Sequence, residues 1–246
     1  MYEHEYDDMY RLETSYWWYL ARRALAVDLL SEEIAGRSSA RVLDVGCGTG
    51  ANVSAFADLA PTIGIDASMD ALHFCKSRGI KTVALSPVED LPFARGSFNI
   101  VTALDMLEHT DDDLHALREI HRVTAEKGLV LITVPAYGFL WSEHDEALKH
   151  RRRYTAHELR NKLTATGFEV VRTSYFISAL FFPILALRIW QGIRKASTRP
   201  RTSIVALPNW INASLVALLT LERKVFHRMN LPFGVSIVAL ARPIHK

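Results

Sequence analysis

Apolar positions along the chain switch period in a regular alternation, and this sets the first expectation about the fold. Leu20, Ala24, Val27, Leu30 and Ile34 recur at helical spacing, which predicts a helix from about Arg11 to Ile34, stopped before Gly36. Arg41-Val-Leu-Asp-Val45 reads as a strand entering a glycine-rich turn, and Ala51 to Leu59 as the helix that follows. Further strands are predicted at Thr62 to Asp66, Lys81 to Ala84, Phe98 to Thr102 and Leu129 to Val134, with helices over Met69 to Arg78 and Asp111 to Val123. Strands and helices alternating in this way pack as a parallel sheet.

Thr155 then opens a helix as its N-cap, Gly167 closes it, and Phe168 to Arg172 forms the next strand. The last strand is expected at Gly234 to Leu240. Roughly sixty residues separate these two strands, too many for an ordinary connection, so the stretch must carry structure of its own. The expected architecture is α/β and Rossmann-like: a mostly parallel seven-stranded sheet with helices on both faces, and a helical appendage inserted before the last strand. Residues 1–175 and 234–246 would form the binding domain, and residues 176–233 the appendage.

Within the appendage, Tyr175 to Leu187 is almost wholly apolar, but the uncharged run from Thr173 is 15 residues and contains Pro183. That is short for a bilayer span. Thr202 to Leu221 has 20 uncharged residues but includes Pro208, Asn209 and Asn212, so a helix is expected to start near Asn209. Arg188, Arg194, Lys195, Arg199, Arg201, Arg223, Lys224 and Arg228 flank these runs.

Composition sharpens this picture in two places. The net charge of +2 divides unevenly: residues 1–187 hold 19 Lys and Arg against 26 Asp and Glu, net −7, while residues 188–246 hold 10 against Glu222 alone, net +9. Such a tail suits an anionic surface, and equally a solvated basic face. Only Cys47 and Cys75 are present, in no zinc-like spacing, so a reducing cytoplasm fits best. The acidic, polar first residues have the wrong chemistry for a secretory signal. Basic residues interleaved with aliphatic runs, without a phosphate-tracking groove of aromatics, argue against nucleic acid as a partner.

The most informative residues are Val42-Leu-Asp-Val-Gly-Cys-Gly-Thr-Gly50, which place three glycines where a strand turns into a helix and a ligand must approach backbone closely. Gly46-x-Gly48-x-x-Ala51 also satisfies the relaxed fingerprint of NAD enzymes, so spacing alone does not choose the cofactor. Two features favour S-adenosylmethionine. Asp44 stands two residues before the first glycine, where a cationic amino acid moiety wants a carboxylate and a pyrophosphate does not, and the glycines run Gly46-x-Gly48-x-Gly50. Asp66, ending the second strand, is placed to accept hydrogen bonds from ribose hydroxyls.

With Gly64-Ile-Asp66-Ala-Ser, Glu89-Asp-Leu-Pro-Phe93, Ser97-Phe-Asn and Asp105-Met-Leu-Glu-His109, these motifs resemble the class I S-adenosylmethionine-dependent methyltransferases, in the broad group that includes ubiquinone-pathway O-methyltransferases. The similarity covers most of residues 10–175. It implies that Asp44, Gly46, Cys47, Gly48 and Gly50 face the methionine part, Asp66 with Ala67 the ribose, and Val88 with Glu89 the adenine edge. Leu104 and Asp105 would line the pocket. The family often has an acid two places before Glu89, where this chain has Pro87, so adenine recognition departs from the pattern. Trp17, Trp18 and Arg22 are expected to cover the pocket, with Arg22 toward the cofactor carboxylate; plain aromatic packing is the alternative for the tryptophans.

An oxygen acceptor needs help losing its proton, so histidines near the cofactor come next. The stretch from Trp141 to Thr155 holds His144-Asp145 and His150-x-Arg-Arg-Tyr154, a pattern similar to that family's. His144 is expected as general base, oriented by Asp145 or His150; a salt-bridged bracing loop is the alternative. Asp105, Glu108 and His109 have ligand chemistry for a hard cation, as in some ubiquinone-pathway relatives, yet they also suit a helix N-terminus, and no metal is assigned. The leading expectation is O-methylation of a small or lipid-linked acceptor. The competing classes are an NAD-dependent oxidoreductase and an inactive S-adenosylmethionine-binding interaction protein. For the appendage, the expectations are contact with the inner membrane face, a lid, or a homodimer seam.

Overall fold

The computed structural model describes residues 3–37, 39–193 and 207–244. Its sheet is built from β1 (Val42–Val45), β2 (Thr62–Asp66), β3 (Val83–Leu85), β4 (Phe98–Leu104), β5 (Thr124–Pro135), β6 (Phe168–Phe176) and β7 (Ser236–Pro243). The strand order is β3-β2-β1-β4-β5-β7-β6. The first five strands are parallel, and β7 runs antiparallel between β5 and β6. The order reverses between β1 and β4, the crevice where open α/β sheets bind ligands.

The helices are α1 (Glu3–Leu12), α2 (Trp17–Ala35), α3 (Ala51–Ala57), α4 (Met69–Ser77), α5 (Asp113–Val123), α6 (Glu143–Ala147), α7 (Ala156–Ala165), α8 (Phe181–Ile193) and α9 (Asn209–Arg228). All four residues of β1 are buried because both sheet faces are covered. Leu43 and Val45 join Val101, Ala103, Val130 and Ile132 under Leu117 and Ile120 of α5 and Leu159 and Leu163 of α7. Val42, Ile100, Leu131 and Val238 face the other way, under Leu25 and Leu29 of α2 and Leu219 and Phe226 of α9. The seven-stranded, mostly parallel sheet with helices on both faces is thus as expected.

Local chemistry starts the helices where the sequence indicates. Asp112 caps α5, accepting from His115 N at 2.9 Å, and Thr155 caps α7, accepting from Glu158 N at 3.1 Å. Gly167, at φ 90°, ends the turn after α7.

The helix predicted from about Arg11 starts later, at Trp17 as α2, and an unpredicted α1 precedes it. The break at residues 13–16 has long-range causes that a local period does not show. Glu13 turns inward to accept from Thr49 Oγ1 and from Arg78 at 2.6 Å, and Asn212 Oδ1, from α9, accepts from Trp17 N at 2.9 Å. β6 is also longer than predicted, because it pairs with β7 to Phe176.

The appendage contributes α8 and α9. Along α2, Arg223 and His227 of α9 meet Asp28 at 3.4 and 3.1 Å, and His227 meets Glu32 at 3.2 Å. Four flanking basic residues, Arg194, Lys195, Arg199 and Arg201, lie outside the described residues. No described helix is long and apolar enough to cross a membrane.

Candidate active site

A cavity of about 720 Å³ opens at the C-terminal ends of β1, β2, β4 and β5. One half is built by backbone. Gly46 and Gly48 follow β1 at φ 71° and 55° and line the cavity with Cys47. A Cβ on Gly46 would fall 2.4 Å from Met106 Cγ, and one on Gly48 2.8 Å from Met9 Cε, so side chains here would collide with the walls. Asp66 is fixed by the same turn: Oδ2 accepts from Gly48 N and Oδ1 from Ser68 N, both at 2.9 Å. Burial raises its carboxyl above the usual range. Ala67, Val88, Glu89, Leu104 and Asp105 complete this half.

Two residues expected here stand behind the wall. Asp44 is 1% exposed and absent from the lining; its Oδ1 accepts from Thr102 Oγ1 at 2.6 Å, while Oδ2 has no hydrogen-bond partner. Burial pushes it up to about 7. Gly50, at φ 91°, allows α4 to approach: a Cβ there would lie 2.9 Å from Cys75 Sγ and 2.6 Å from Ile80 Cδ1.

Trp17, Trp18 and Arg22 line the cavity from α2. Arg22 is held over the Trp18 ring at 4.4 Å, and its Nη1 donates to Asp105 and to Leu104 O at 3.4 Å. Asp105 therefore serves as partner to Arg22, at an unusual backbone φ of 53°. Tyr6 and Met9 of α1 also line the cavity and had no place in the sequence expectation. The available signal was the aromatic pair Tyr6 and Tyr10, at helical spacing in a polar stretch. Tyr10 packs against Phe74 with the rings tilted and 4.9 Å apart, and lies under Arg78 at 4.2 Å, holding α1 against α4.

The other half is built by side chains. Glu108 and His109, from a 3₁₀ turn, converge with His144, Leu148, His150 and Arg153, and with Ile184, Leu187 and Arg188 of α8. One layer behind them, fully buried Asp145 organises the group. It accepts from His150 Nδ1 at 2.9 Å, from Arg153 Nε and Nη2 at 2.8 and 3.0 Å, and from Ser142 N at 2.9 Å. Burial opposes its ionisation, but the bonds from His150 and Arg153 prevail and hold it below the usual carboxylate range. The Asp145 carboxylate expected behind His144 thus orients His150. Asp145 only accepts, so His150 Nδ1 donates in this bond and Nε2 is left to face other partners. His144 lines the cavity with its pKa lowered to about 3 by burial, as is that of His109.

Glu108 is completely buried, with no hydrogen-bond partner on either oxygen, and burial followed by the nearby Asp105 charge raises its carboxyl well above the ordinary value. One ligand atom each of Glu108, His109 and His150 lie within 4.8 Å of one another. The cation chemistry considered for Asp105, Glu108 and His109 therefore regroups, with His150 in place of Asp105. Arg152 and Tyr154 are braces. Both bind Asp113, at 3.1 and 2.9 Å, which ties the loop to α5.

This arrangement matches a known family along most of the sheet. The profile described as "Methyltransferase domain" matches residues 16–173. The chain belongs to the class I S-adenosylmethionine-dependent methyltransferases. An uncharacterised methyltransferase of Bacillus subtilis is 34% identical over 103 residues, covering 39% of this chain and 41% of that one. A ubiquinone biosynthesis O-methyltransferase of Pseudomonas aeruginosa is 30% identical over 112 residues, covering 42% and 47%. The chain thus spans about half the length of these curated relatives. The solved structure of a possible histamine N-methyltransferase from Thermotoga maritima shares the fold at a TM-score of 0.59, with 17% identity, covering 98% of this chain and 95% of that one. The family's cofactor is S-adenosylmethionine, and the glycine cradle, the strand-end Asp66 and the orphaned oxygen of Asp44 behind the cradle fit such a ligand.

Proposed function

We propose that this methyltransferase acts on an oxygen of a small or lipid-linked acceptor, with His150 as general base and Asp145 as the group that positions it. The observation that carries the reading is the Asp145–His150 pair, opening into the same cavity as the glycine cradle. The naming of the P. aeruginosa relative as an O-methyltransferase supports it. Bound S-adenosylmethionine supplies an electrophilic methyl group, so the protein's work is alignment, water exclusion and proton removal. Backbone at Gly46, Cys47 and Gly48 would hold the methionine part, Asp66 and Ala67 the ribose, and Val88 with Glu89 the adenine edge. Trp17, Arg22, Leu104 and Asp105 would close over them. His150 Nε2 then takes the acceptor's proton, and Asp145 stabilises the imidazolium formed. His144, whose imidazole pKa burial lowers to about 3, stands beside His150 in the cavity wall.

A cation held by Glu108, His109 and His150 is a second reading, favoured by their spacing and by the unpartnered Glu108. It would activate the oxygen as a Lewis acid, with His150 as ligand.

The lipid-linked option rests on α8, whose Ile184 and Leu187 line the cavity while Phe182 and Ile189 are exposed, and on the exposed Trp210 of α9. Apolar residues beside a basic tail suit the inner face of an anionic membrane; a second copy of the chain is the competing occupant. The test is incubation with methyl-labelled S-adenosylmethionine and a panel of phenols, carboxylic acids, amines and a bacterial lipid extract. Label transfer to a phenol or carboxylic acid, distinguished by base hydrolysis of the ester, supports the proposal. Transfer to amines alone refutes the oxygen acceptor, and a chelator that stops transfer without disturbing S-adenosylhomocysteine binding selects the cation reading.

A further inference from the structure

The two halves of the cavity are walled by helices far apart in sequence, α2 on the cofactor side and α8 on the other. A side chain of α9 caps the start of α2, and another holds the turn that leads into α8. Tyr16, the N-cap residue of α2, makes no side-chain capping bond. Asn212 replaces it from 195 positions away: Oδ1 accepts from Trp17 N at 2.9 Å, and Nδ2 donates to Ser15 O at 2.9 Å. Three turns further along α9, Glu222 is buried at 8% exposure and spends both carboxylate oxygens on consecutive amides. Oε1 accepts from Ser178 N at 2.9 Å and Oε2 from Ala179 N at 2.8 Å. These amides lead into α8 directly after Ile177, whose left-handed φ of 61° needs such support. Glu222 is also the only acid among residues 188–246. Between the two anchors Leu219 packs in the core with α2, and just past Glu222, Arg223 ties α9 to Asp28.

We propose that α9 is a strut coupling the cofactor wall to the opposite wall, with Asn212 and Glu222 as positioning residues at its two ends. An exposed surface helix would not need a buried carboxylate and a distant N-cap, each directed at the start of a different cavity helix. Freeing either anchor releases orphan amides at one helix start and loosens the strut that holds the other. The inference rests on assigning the α8 side of the cavity to the acceptor, but its test needs no acceptor.

Amide hydrogen exchange is measured on the full chain, alone and with saturating S-adenosylhomocysteine, for wild type, Asn212→Ala, Asn212→Asp, Glu222→Ala and Glu222→Gln. In the free protein, Asn212→Ala and Glu222→Ala should each speed exchange at both 15–22 and 178–188, about five- to tenfold. Asn212→Asp, which keeps the accepting oxygen, should restore most of the protection. S-adenosylhomocysteine should slow both segments in wild type, and the slowing at 178–188 should vanish in the alanine variants. If Glu222→Ala does not fold, Glu222→Gln, which keeps one accepting oxygen, carries the comparison. Faster exchange confined to the segment each residue touches would overturn the strut and reduce both side chains to local caps. Failure of wild type to bind S-adenosylhomocysteine would sink the methyltransferase reading, while the free-protein comparison still decides the strut.

Discussion

The two halves of the cavity are made of different material. The cofactor half is a property of the backbone: strand ends, glycines at positive φ, and Asp66 fastened to the turn by two amide bonds. The opposite half is a property of side chains, gathered from the turn at Leu107–His109, the loop carrying α6, and α8, and held by Asp145. Backbone geometry at the end of a parallel strand is shared by any protein with this sheet, whereas a side-chain constellation is free to change with the acceptor.

Substitutions that separate the halves test this contrast. The largest effect is expected at Gly46→Val, where φ is positive and a Cβ falls on Met106. S-adenosylhomocysteine affinity should drop more than ~100-fold in titration calorimetry. His150→Gln should leave that affinity within about twofold but lower kcat by roughly 100-fold with an acceptor found in the panel. If His150→Gln weakens cofactor binding as much as Gly46→Val, the halves are not separable.

A smaller, pH-dependent effect belongs to Asp44. Burial raises its folded pKa to about 7, above the unfolded value, so the folded protein holds a proton that the unfolded chain has lost between about pH 4 and 7. Its contribution to stability is therefore full below that window and declines as pH rises through it. A cationic ligand group in front of the cradle favours the ionised form, so affinity for S-adenosylhomocysteine should weaken about fivefold from pH 8 to pH 6. Asp44→Asn should flatten both the affinity and the melting-temperature profiles; a slope unchanged in that variant assigns the titration elsewhere. The smallest effect is expected at Trp210, 73% exposed, where Trp210→Ala should weaken sedimentation with anionic phospholipid vesicles about threefold and leave catalysis on a water-soluble acceptor intact.

The same contrast explains what was legible in the sequence. The glycine turn, Asp66 and the strands around them follow from local spacing, because backbone conformation is written in nearby residues. Asp44 and Gly50 belong to that motif but support it from behind, a distinction of about one atomic layer that spacing does not encode. Pairing Asp145 with His150, and adding His150 to Glu108 and His109, depends on how a loop folds back on a turn some forty residues earlier. The break between α1 and α2 was hidden for a similar reason: its determinants, Thr49, Arg78 and Asn212, are distant in the chain.

The most direct test is calorimetric titration of wild type, Asp66→Ala and His150→Gln with S-adenosylhomocysteine and, separately, with NAD. Wild type and His150→Gln should bind S-adenosylhomocysteine with micromolar affinity, Asp66→Ala should lose it, and none of the three should bind NAD. Binding of NAD in place of S-adenosylhomocysteine, or S-adenosylhomocysteine binding that survives Asp66→Ala unchanged, would contradict this assignment of the cofactor site.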